Sequence, residues 1–191
     1  SAVVDEKVGT FNNIIGGRLR NVYGGCYAGA VLGEANINIG LRETPSKTVL
    51  LPNGTYSAST FSWGKPVVQR SVYGGGERGR VTTSIVNMNN GYVGYDYNSS
   101  TGSYYPKLTI NSSDLSNLLK ENGNLYGGGY GEGAITLHSY VNMFDGVIRN
   151  GLYGGGEIAS VGYAKTIKNG RNYILDNTPS EIANRETGDT H

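Results

Sequence analysis

Apolar and polar residues alternate in three stretches of the chain. They read AVLGEANINIG from Ala30, RVTTSIVNMNNG from Arg80 and AITLHSYVNMFDG from Ala134. Each stretch contains two apolar residues two positions apart with an asparagine between them: Ile37 and Ile39, Val86 and Met88, Val141 and Met143. Because successive side chains of a strand point to opposite faces, this period predicts strands with one buried face. The bounding glycines and asparagines supply the turns.

A glycine-rich phrase recurs beside these stretches. It reads NVYGGCYAG from Asn21, SVYGGGERG from Ser71, NLYGGGYGEG from Asn124 and GLYGGGEIA from Gly151. Its tyrosines Tyr23, Tyr73, Tyr126 and Tyr153 lie 50, 53 and 27 residues apart. A unit of 25–27 residues therefore predicts one degenerate copy inside each longer gap. The candidates are TVLLPNGTYSAS from Thr48 and GYVGYDY from Gly91.

Strands with recurring flanks favour a β-solenoid over a sandwich of hairpins, because each coil must stack on equivalent residues of the coil before it. We predict an all-β fold, a single-stranded right-handed parallel β-helix of about seven coils. The solenoid is expected over 1–176, with inserts near 41–70 and 95–122, and 177–191 form a polar tail of the kind that is often disordered. One short helix, Asn111–Gly123, is predicted in the second insert from its serine cap, leucine stripe and terminal glycine.

The glycines of the repeated phrase indicate coil corners where close backbone stacking leaves no room for side chains. Neighbouring side chains of a strand point to opposite faces, so the aliphatic residue before each tyrosine is the better core candidate. These residues are Val22, Val72, Leu125 and Leu152. Tyr126 and Tyr153 would then stack outside on adjacent coils. The opposite orientation, with the tyrosines inside, stays open.

Composition narrows the classes of function. The 191 residues carry a formal charge of +1, which predicts no general attraction to nucleic acid. No apolar run approaches the length of about 20 residues that a membrane helix needs, so no membrane insertion is expected. The single Cys26 excludes an internal disulfide and is expected to be a small buried side chain. The chain opens without an initiator methionine or a signal peptide, which suggests a mature protein or an excised piece.

Neither a metal nor a cofactor is predicted. The residues that follow the glycines are Tyr27, Glu77, Tyr130 and Glu157, without the recurring aspartate of a calcium-binding β-roll. No Lys-Ser or Lys-Thr follows to form a phosphate loop.

Catalytic residues are not predicted either. Glu132 and Glu157 lie in successive copies of the phrase, but solvated turn acids are the expected interpretation. His138 occupies a strand position and is expected to face outward, and no Ser, His and acid arrangement recurs.

Aromatic residues are the candidates for ligand binding, because the apolar faces of sugars pack on aromatic planes. Two inserts carry most of them, and loops mounted on a rigid solenoid often bind ligands. The candidates are Trp63, Tyr56, Tyr95, Tyr97, Tyr104, Tyr105, Tyr126 and Tyr153. Two structural interpretations compete with binding: the motif tyrosines stabilise coil stacking, or the insert rings fold over a coil edge.

The phrase (V/L)YGGG, a following G-x-V/I turn and an alternating strand resemble the glycine-rich β-helix repeats of large surface-exposed or secreted proteins of Bacteroidetes. The resemblance covers about two thirds of the chain, from Ile14 to Gly162, and breaks at 41–70 and 95–122. It implies a bacterial cell-surface or secreted location and a structural or adhesin-like module without catalytic activity. Expected partners are a glycan or host surface ligand and further repeats of the same protein at its ends. The alternatives are a glycan-binding or glycan-cleaving β-helix, similar to a polysaccharide lyase or hydrolase, and a piece of a trimeric phage or pilus fibre.

Overall fold

The computed structural model describes residues 9–42, 49–50, 56–57, 64–107, 123–162, 166–169, 172–175, 178–180 and 189–190. Side chains are described within 9–42, 64–107, 123–162 and 178–180. The fold is all-β, as predicted. The strands are β1 Gly9–Ile14, β2 Arg18–Leu19, β3 Val22–Tyr23, β4 Ala30–Ile39, β5 Val49–Leu50, β6 Tyr56–Ser57, β7 Val67–Val68, β8 Val72–Tyr73, β9 Arg80–Met88, β10 Tyr92–Val93, β11 Tyr95–Asn98, β12 Ser103–Pro106, β13 Asn124–Tyr126, β14 Ile135–Met143, β15 Val147–Ile148, β16 Gly151–Tyr153, β17 Ser160–Val161, β18 Thr166–Asn169, β19 Asn172–Leu175 and β20 Asp189–Thr190.

Three parallel sheets organise most of these strands. Sheet I has the order β1-β4-β9-β14-β17, sheet II the order β2-β7-β10-β15 and sheet III the order β3-β8-β13-β16. The chain visits the three sheets in turn, and we call one visit to all three a pass. The passes are β1-β2-β3, β4-β7-β8, β9-β10-β13 and β14-β15-β16, and β17 begins a fifth. The architecture is compatible with a β-helix, but the expected count of about seven coils is not confirmed, since the described residues make four passes.

The two long gaps between motif tyrosines are single passes, so the predicted degenerate copies are wrong. Val22 pairs directly with Val72, and Tyr73 pairs directly with Tyr126. GYVGYDY instead supplies β10 of sheet II and the first strand of an antiparallel hairpin, β11-β12. TVLLPNGTYSAS contributes β5 and β6, which pair with each other and with none of the three sheets.

Both inserts close at their base. The Leu41 N–H donates a hydrogen bond of 3.1 Å to the Gly64 carbonyl, so the second pass resumes where it was interrupted. In the third pass a Cβ built on Gly94 would lie 2.4 Å from the Cα of Gly123, so the two ends of the second insert meet there. An insert that returns to its starting point leaves the parallel pairing intact, which explains how a pass can double in length.

Apolar side chains from all three sheets meet in one core. The predicted alternation is confirmed in the second and third passes, where Ile37, Ile39, Val86 and Met88 are fully buried. The cluster also includes Val22, Val68, Val72, Val93 and Leu125, with Ile14, Leu19, Val141 and Ile148 packed against it. Met143 is 47% exposed because it lies on the last long strand of sheet I.

The asparagines between these apolar residues form a ladder on the outer face of sheet I. The side-chain amide of Asn38 donates to Asn13 at 2.8 Å, that of Asn87 donates to Asn38 at 2.7 Å, and that of Asn142 donates to Asn87 at 2.9 Å. The ladder requires the same register on all four passes, so it fixes how the long strands align.

The predicted helix Asn111–Gly123 lies outside the described residues except for Gly123. Within the predicted tail, β20 pairs in parallel with β14 at His138 and Ser139. The strands β18 and β19 form an antiparallel pair before it.

Candidate ligand-binding surfaces

The repeated glycines mark corners where neighbouring passes touch. A Cβ built on Gly74 would lie 2.2 Å from the Gly127 carbonyl oxygen of the next pass. A Cβ on Gly129 would lie 2.6 Å from the Gly76 carbonyl oxygen of the preceding pass. Real side chains do not tolerate such distances, so the prediction that close backbone stacking demands glycine is confirmed at these positions.

The motif tyrosines form a continuous stack, which we call the tyrosine ladder: Tyr23, Tyr73, Tyr126 and Tyr153. Successive ring centroids are 5.0, 5.2 and 5.0 Å apart, close to the strand spacing of a sheet, with interplanar angles of 15° or less. Such pairs contribute about 0.5–1.5 kcal/mol beyond the area that they bury. The ladder therefore reinforces the stacking of passes.

The ladder lies on the outer face of sheet III, because the preceding aliphatic residues Val72 and Leu125 are fully buried in the core. The candidate sugar-binding platform of exposed rings is absent at the centre of the ladder, where Tyr73 and Tyr126 are only 4% and 8% exposed. Tyr153 is 49% exposed because it belongs to the last strand of sheet III. Among the described residues, the rings open to a ligand are those at the two ends of the ladder, Tyr153 and the partly exposed Tyr23.

A carboxylate covers the ladder. The Tyr73 hydroxyl donates a hydrogen bond of 2.7 Å to Glu157 Oε2, and the Tyr130 ring packs against Tyr73 at 5.3 Å. Burial and the nearby Glu157 raise the pKa of Tyr73 and of Tyr126. Both phenols stay protonated at neutral pH, so neither is suited to act as a catalytic base. Glu157 is thus a partner of the ladder rather than the solvated turn acid that we expected, whereas Glu132 is exposed.

The second cluster of rings surrounds the hairpin β11-β12. We call it the hairpin cluster: Tyr92, Tyr95, Tyr97 and Tyr104. The Tyr92 and Tyr104 rings stack at 3.8 Å with an interplanar angle of 16°. Tyr97 lies 5.0 Å from Tyr104, and Tyr95 meets Tyr92 edge-on at 5.6 Å. All four rings are partly exposed.

Sheet II supplies one of these rings. Tyr92 belongs to β10 and stands outside the core, since its neighbour Val93 is fully buried. Sequence reasoning missed Tyr92 as a site residue because GYVGYDY was interpreted as a motif copy. The signal was available, since Tyr92 stands three residues before Tyr95 in the same aromatic run.

A buried carboxylate fixes the base of the hairpin. Asp96 is 2% exposed and accepts hydrogen bonds from Arg18 at 3.2 Å, Gln69 at 2.8 Å and Lys107 at 3.0 Å. The Tyr97 backbone N–H donates a fourth at 2.8 Å. Burial acts to raise the pKa of Asp96, but the hydrogen bonds from Lys107, Tyr97 and Gln69 outweigh it and lower that pKa to about 2. Because Arg18 and Gln69 lie on the first and second passes, Asp96 clamps the hairpin across three passes.

The tip of the hairpin is a tight polar turn. Asn98 Oδ1 accepts from the backbone N–H groups of Ser100 and Thr101 at 2.9 and 3.3 Å. Gly102 closes the turn with a φ of +67°, a conformation that glycine adopts without strain. The hairpin is therefore ordered by local hydrogen bonds as well as by its base.

The predicted site residues fall into separate groups. The structure brings Tyr95, Tyr97 and Tyr104 together, whereas Tyr105 is cross-strand from Asp96 on the other hairpin face and is 43% exposed. Tyr126 and Tyr153 belong to the ladder on sheet III. Trp63 lies outside the described residues, as does the side chain of Tyr56.

Two kinds of site were not found among the described residues. The described residues contain no group of three or more His, Cys, Asp and Glu side chains that could hold a metal ion. They also contain no helix long and apolar enough to cross a membrane.

Comparison of the chain with protein-family models, with curated proteins and with solved structures found no match.

Proposed function

We propose that the chain is a single-stranded, right-handed parallel β-helix that serves as a non-catalytic structural or adhesive module of a bacterial surface or secreted protein. The observation that carries the proposal is the repetition of residue types in register on four passes, in both the asparagine and the tyrosine ladders. Right-handedness rests on the strong preference of parallel crossovers. The location rests on the resemblance of the (V/L)YGGG phrase.

The geometry favours a scaffold over an enzyme. Each pass contacts mainly its neighbours, which is how repeat proteins build long rigid supports. Of the two acids considered as catalytic candidates, Glu157 accepts a hydrogen bond from Tyr73, and Glu132 is exposed on a turn. The inserts leave from corners of the second and third passes and return to them, so they can vary without disturbing the stack.

Deletion of the second insert tests whether adhesion depends on that insert while the three sheets fold without it. Gly94 and Gly123 would be joined directly, as the equivalent residues Gln69 and Arg70 are in the second pass. We expect this variant to unfold cooperatively and to keep the β-sheet signal of the full chain by circular dichroism. Beads that carry the full chain should adhere to glycan-coated surfaces, and beads that carry the deletion variant should not.

Each outcome of this experiment bears on a different part of the proposal. An unfolded deletion variant would show that the insert belongs to the fold rather than to a surface appendage. A folded variant that still adheres would place adhesion elsewhere on the chain. A full chain that lacks the circular-dichroism signal of β-sheet would contradict the β-helix.

A further inference from the structure

The tip of the hairpin carries no charge. Between Tyr97 and Pro106 the chain has no Asp, Glu, Lys or Arg, and its side chains are phenol rings, hydroxyls and one amide besides the glycine and the proline. Asn98, Ser99, Ser100, Thr101 and Ser103 are all exposed. Tyrosine, serine, glycine and asparagine are the residues that dominate binding loops of antibodies, where tyrosine gives rigid contact area and the others adaptable hydrogen bonds.

The cations at the base of the hairpin share one carboxylate. Lys107 and Arg18 both direct a nitrogen to Asp96, at 3.0 and 3.2 Å. The carboxylate is buried beneath the hairpin, so it does not face a ligand on the tip. A ligand that contacts the rings of the hairpin cluster and the tip meets aromatic and neutral polar side chains, since residues 97–106 carry no charge and Arg18 and Lys107 bind Asp96 at the base.

The cluster is also held in place before any ligand arrives. Tyr104 is fixed between Tyr92 below it and Tyr97 beside it, and the Asp96 clamp holds the strand that carries Tyr97. A tyrosine has only two side-chain torsions to fix, so a preordered ring loses little entropy on binding.

We propose that the hairpin cluster and the tip 98–103 bind an uncharged oligosaccharide. The C–H groups on the apolar face of a pyranose carry partial positive charge and pack on the negative faces of the Tyr97 and Tyr104 rings. The hydroxyls of the sugar reach the Asn98, Ser100 and Thr101 side chains at the tip. This assignment rests on the proposed adhesive function and names its ligand class.

The test is a glycan microarray probed with the full chain. It carries neutral hexasaccharides of glucose, mannose, xylose and N-acetylglucosamine beside acidic oligogalacturonates. We expect binding to at least one neutral glycan and none to the acidic ones. Tyr97→Ala and Tyr104→Ala should each weaken that binding about tenfold or more, in line with ring stacking in other recognition sites. Tyr104→Phe keeps the ring and should retain binding within about threefold.

Tyr105→Ala is the matched control, because Tyr105 is a neighbouring tyrosine on the opposite hairpin face. It should bind as the unmodified chain does. Circular dichroism and the melting temperature of every variant show whether the scaffold is intact. If the folded chain binds none of the neutral glycans, the assignment is overturned. Preferential binding of oligogalacturonates also overturns it. Full binding by a folded Tyr97→Ala and Tyr104→Ala double variant overturns it as well. None of these results affects the β-helix scaffold, which the unfolding and circular dichroism of the deletion variant test separately.

Discussion

A Cβ atom on Gly76 would lie 2.4 Å from the carbonyl oxygen of Cys26, the residue at the equivalent corner of the preceding pass. The same relationship recurs between Gly129 and Gly76 at 2.6 Å and between Gly156 and Gly129 at 2.5 Å. Each third glycine of the phrase thus faces the pass before it. Cys26 belongs to the first pass of the described sheets, and its side chain is accommodated there without a described pass before it. The residue is partly exposed, so the expectation that Cys26 is buried is wrong.

This contact predicts the effect of a methyl group at the corner. Gly76→Ala should lower the free energy of unfolding by about 1–3 kcal/mol, because a packed backbone must shift to admit the added carbon. Gly155→Ala is the matched control, since a Cβ there meets nothing within 4 Å. The control should be neutral or slightly stabilising. Urea unfolding of the two variants measures both effects, and equal losses would contradict the steric explanation.

A buried hydroxyl predicts a stabilising substitution. Thr136 is fully buried, and its Oγ1 has no hydrogen-bond partner in the part of the chain that the structure describes. It pairs with Val81 on one side and Val161 on the other. Thr136→Val should raise the free energy of unfolding by about 1–2 kcal/mol, because it removes an unsatisfied polar group at nearly constant shape.

The contrasting change is Ser139→Ala on the same strand. The Ser139 hydroxyl donates to the Gly154 carbonyl at 2.7 Å, so its removal should destabilise the fold by about 1 kcal/mol. Chemical denaturation of both variants measures the free energy of unfolding, which should rise for Thr136→Val and fall for Ser139→Ala. A Thr136→Val variant that is less stable than the parent would show that the hydroxyl has a partner after all.

The local features of the fold were predictable from the sequence, whereas several features that depend on the length of the inserts were not. The strand alternation at Ile37 and Val86 was predictable, because a period of two is set by residues close in sequence. The number of passes was not, since each insert is about as long as one coil and therefore imitates a missing repeat. The direct pairing of Tyr23 with Tyr73 reveals this.

The candidate site was predictable in its residue types and less so in its geometry. An aromatic run at Tyr95–Tyr105 indicated a tyrosine-rich surface, but its stacking partner Tyr92 stands on a sheet strand. The Asp96 clamp joins residues up to 78 positions apart, a distance that no local pattern encodes. Burial of Tyr126 escaped prediction for the same reason, because the covering residue Glu157 lies on another pass.

The tyrosine ladder predicts sensitivity to alkaline pH. Burial and Glu157 raise the pKa of Tyr73, whereas its pKa in the unfolded chain is close to 10. The folded state therefore keeps a proton that the unfolded state loses above pH 10. The stability contributed by the neutral phenol is complete below that pH and declines as pH rises, by about 1.4 kcal/mol per pH unit for each such tyrosine.

Tyr73→Phe tests this explanation. Urea unfolding at intervals between pH 8 and pH 11 should give a shallower decline for the variant, by about 1.4 kcal/mol per pH unit above pH 10. Tyr27→Phe serves as a control, since Tyr27 is 62% exposed. Parallel declines for the parent and for Tyr73→Phe would show that Tyr73 does not hold its proton in the fold.

The Asp96 clamp predicts an acid-sensitive hairpin. Its folded pKa of about 2 lies below the ordinary value of 3.8, so the charged form stabilises the fold at every pH above about 4. That contribution, about 2 kcal/mol, is lost as the pH falls from 4 towards 2. Asp96→Asn should remove it at neutral pH and leave the Arg18 and Lys107 charges without their counterion.

Hydrogen exchange locates the effect of that substitution. Backbone amides of β11 and β12 in Asp96→Asn should exchange at least tenfold faster than in the parent at pH 6, because the hairpin loses its anchor to the first two passes. Amides of β9 and β14 provide the internal control and should keep their protection. Uniform acceleration across both regions would instead show that Asp96 supports the whole stack, and unchanged exchange in the hairpin would contradict the clamp.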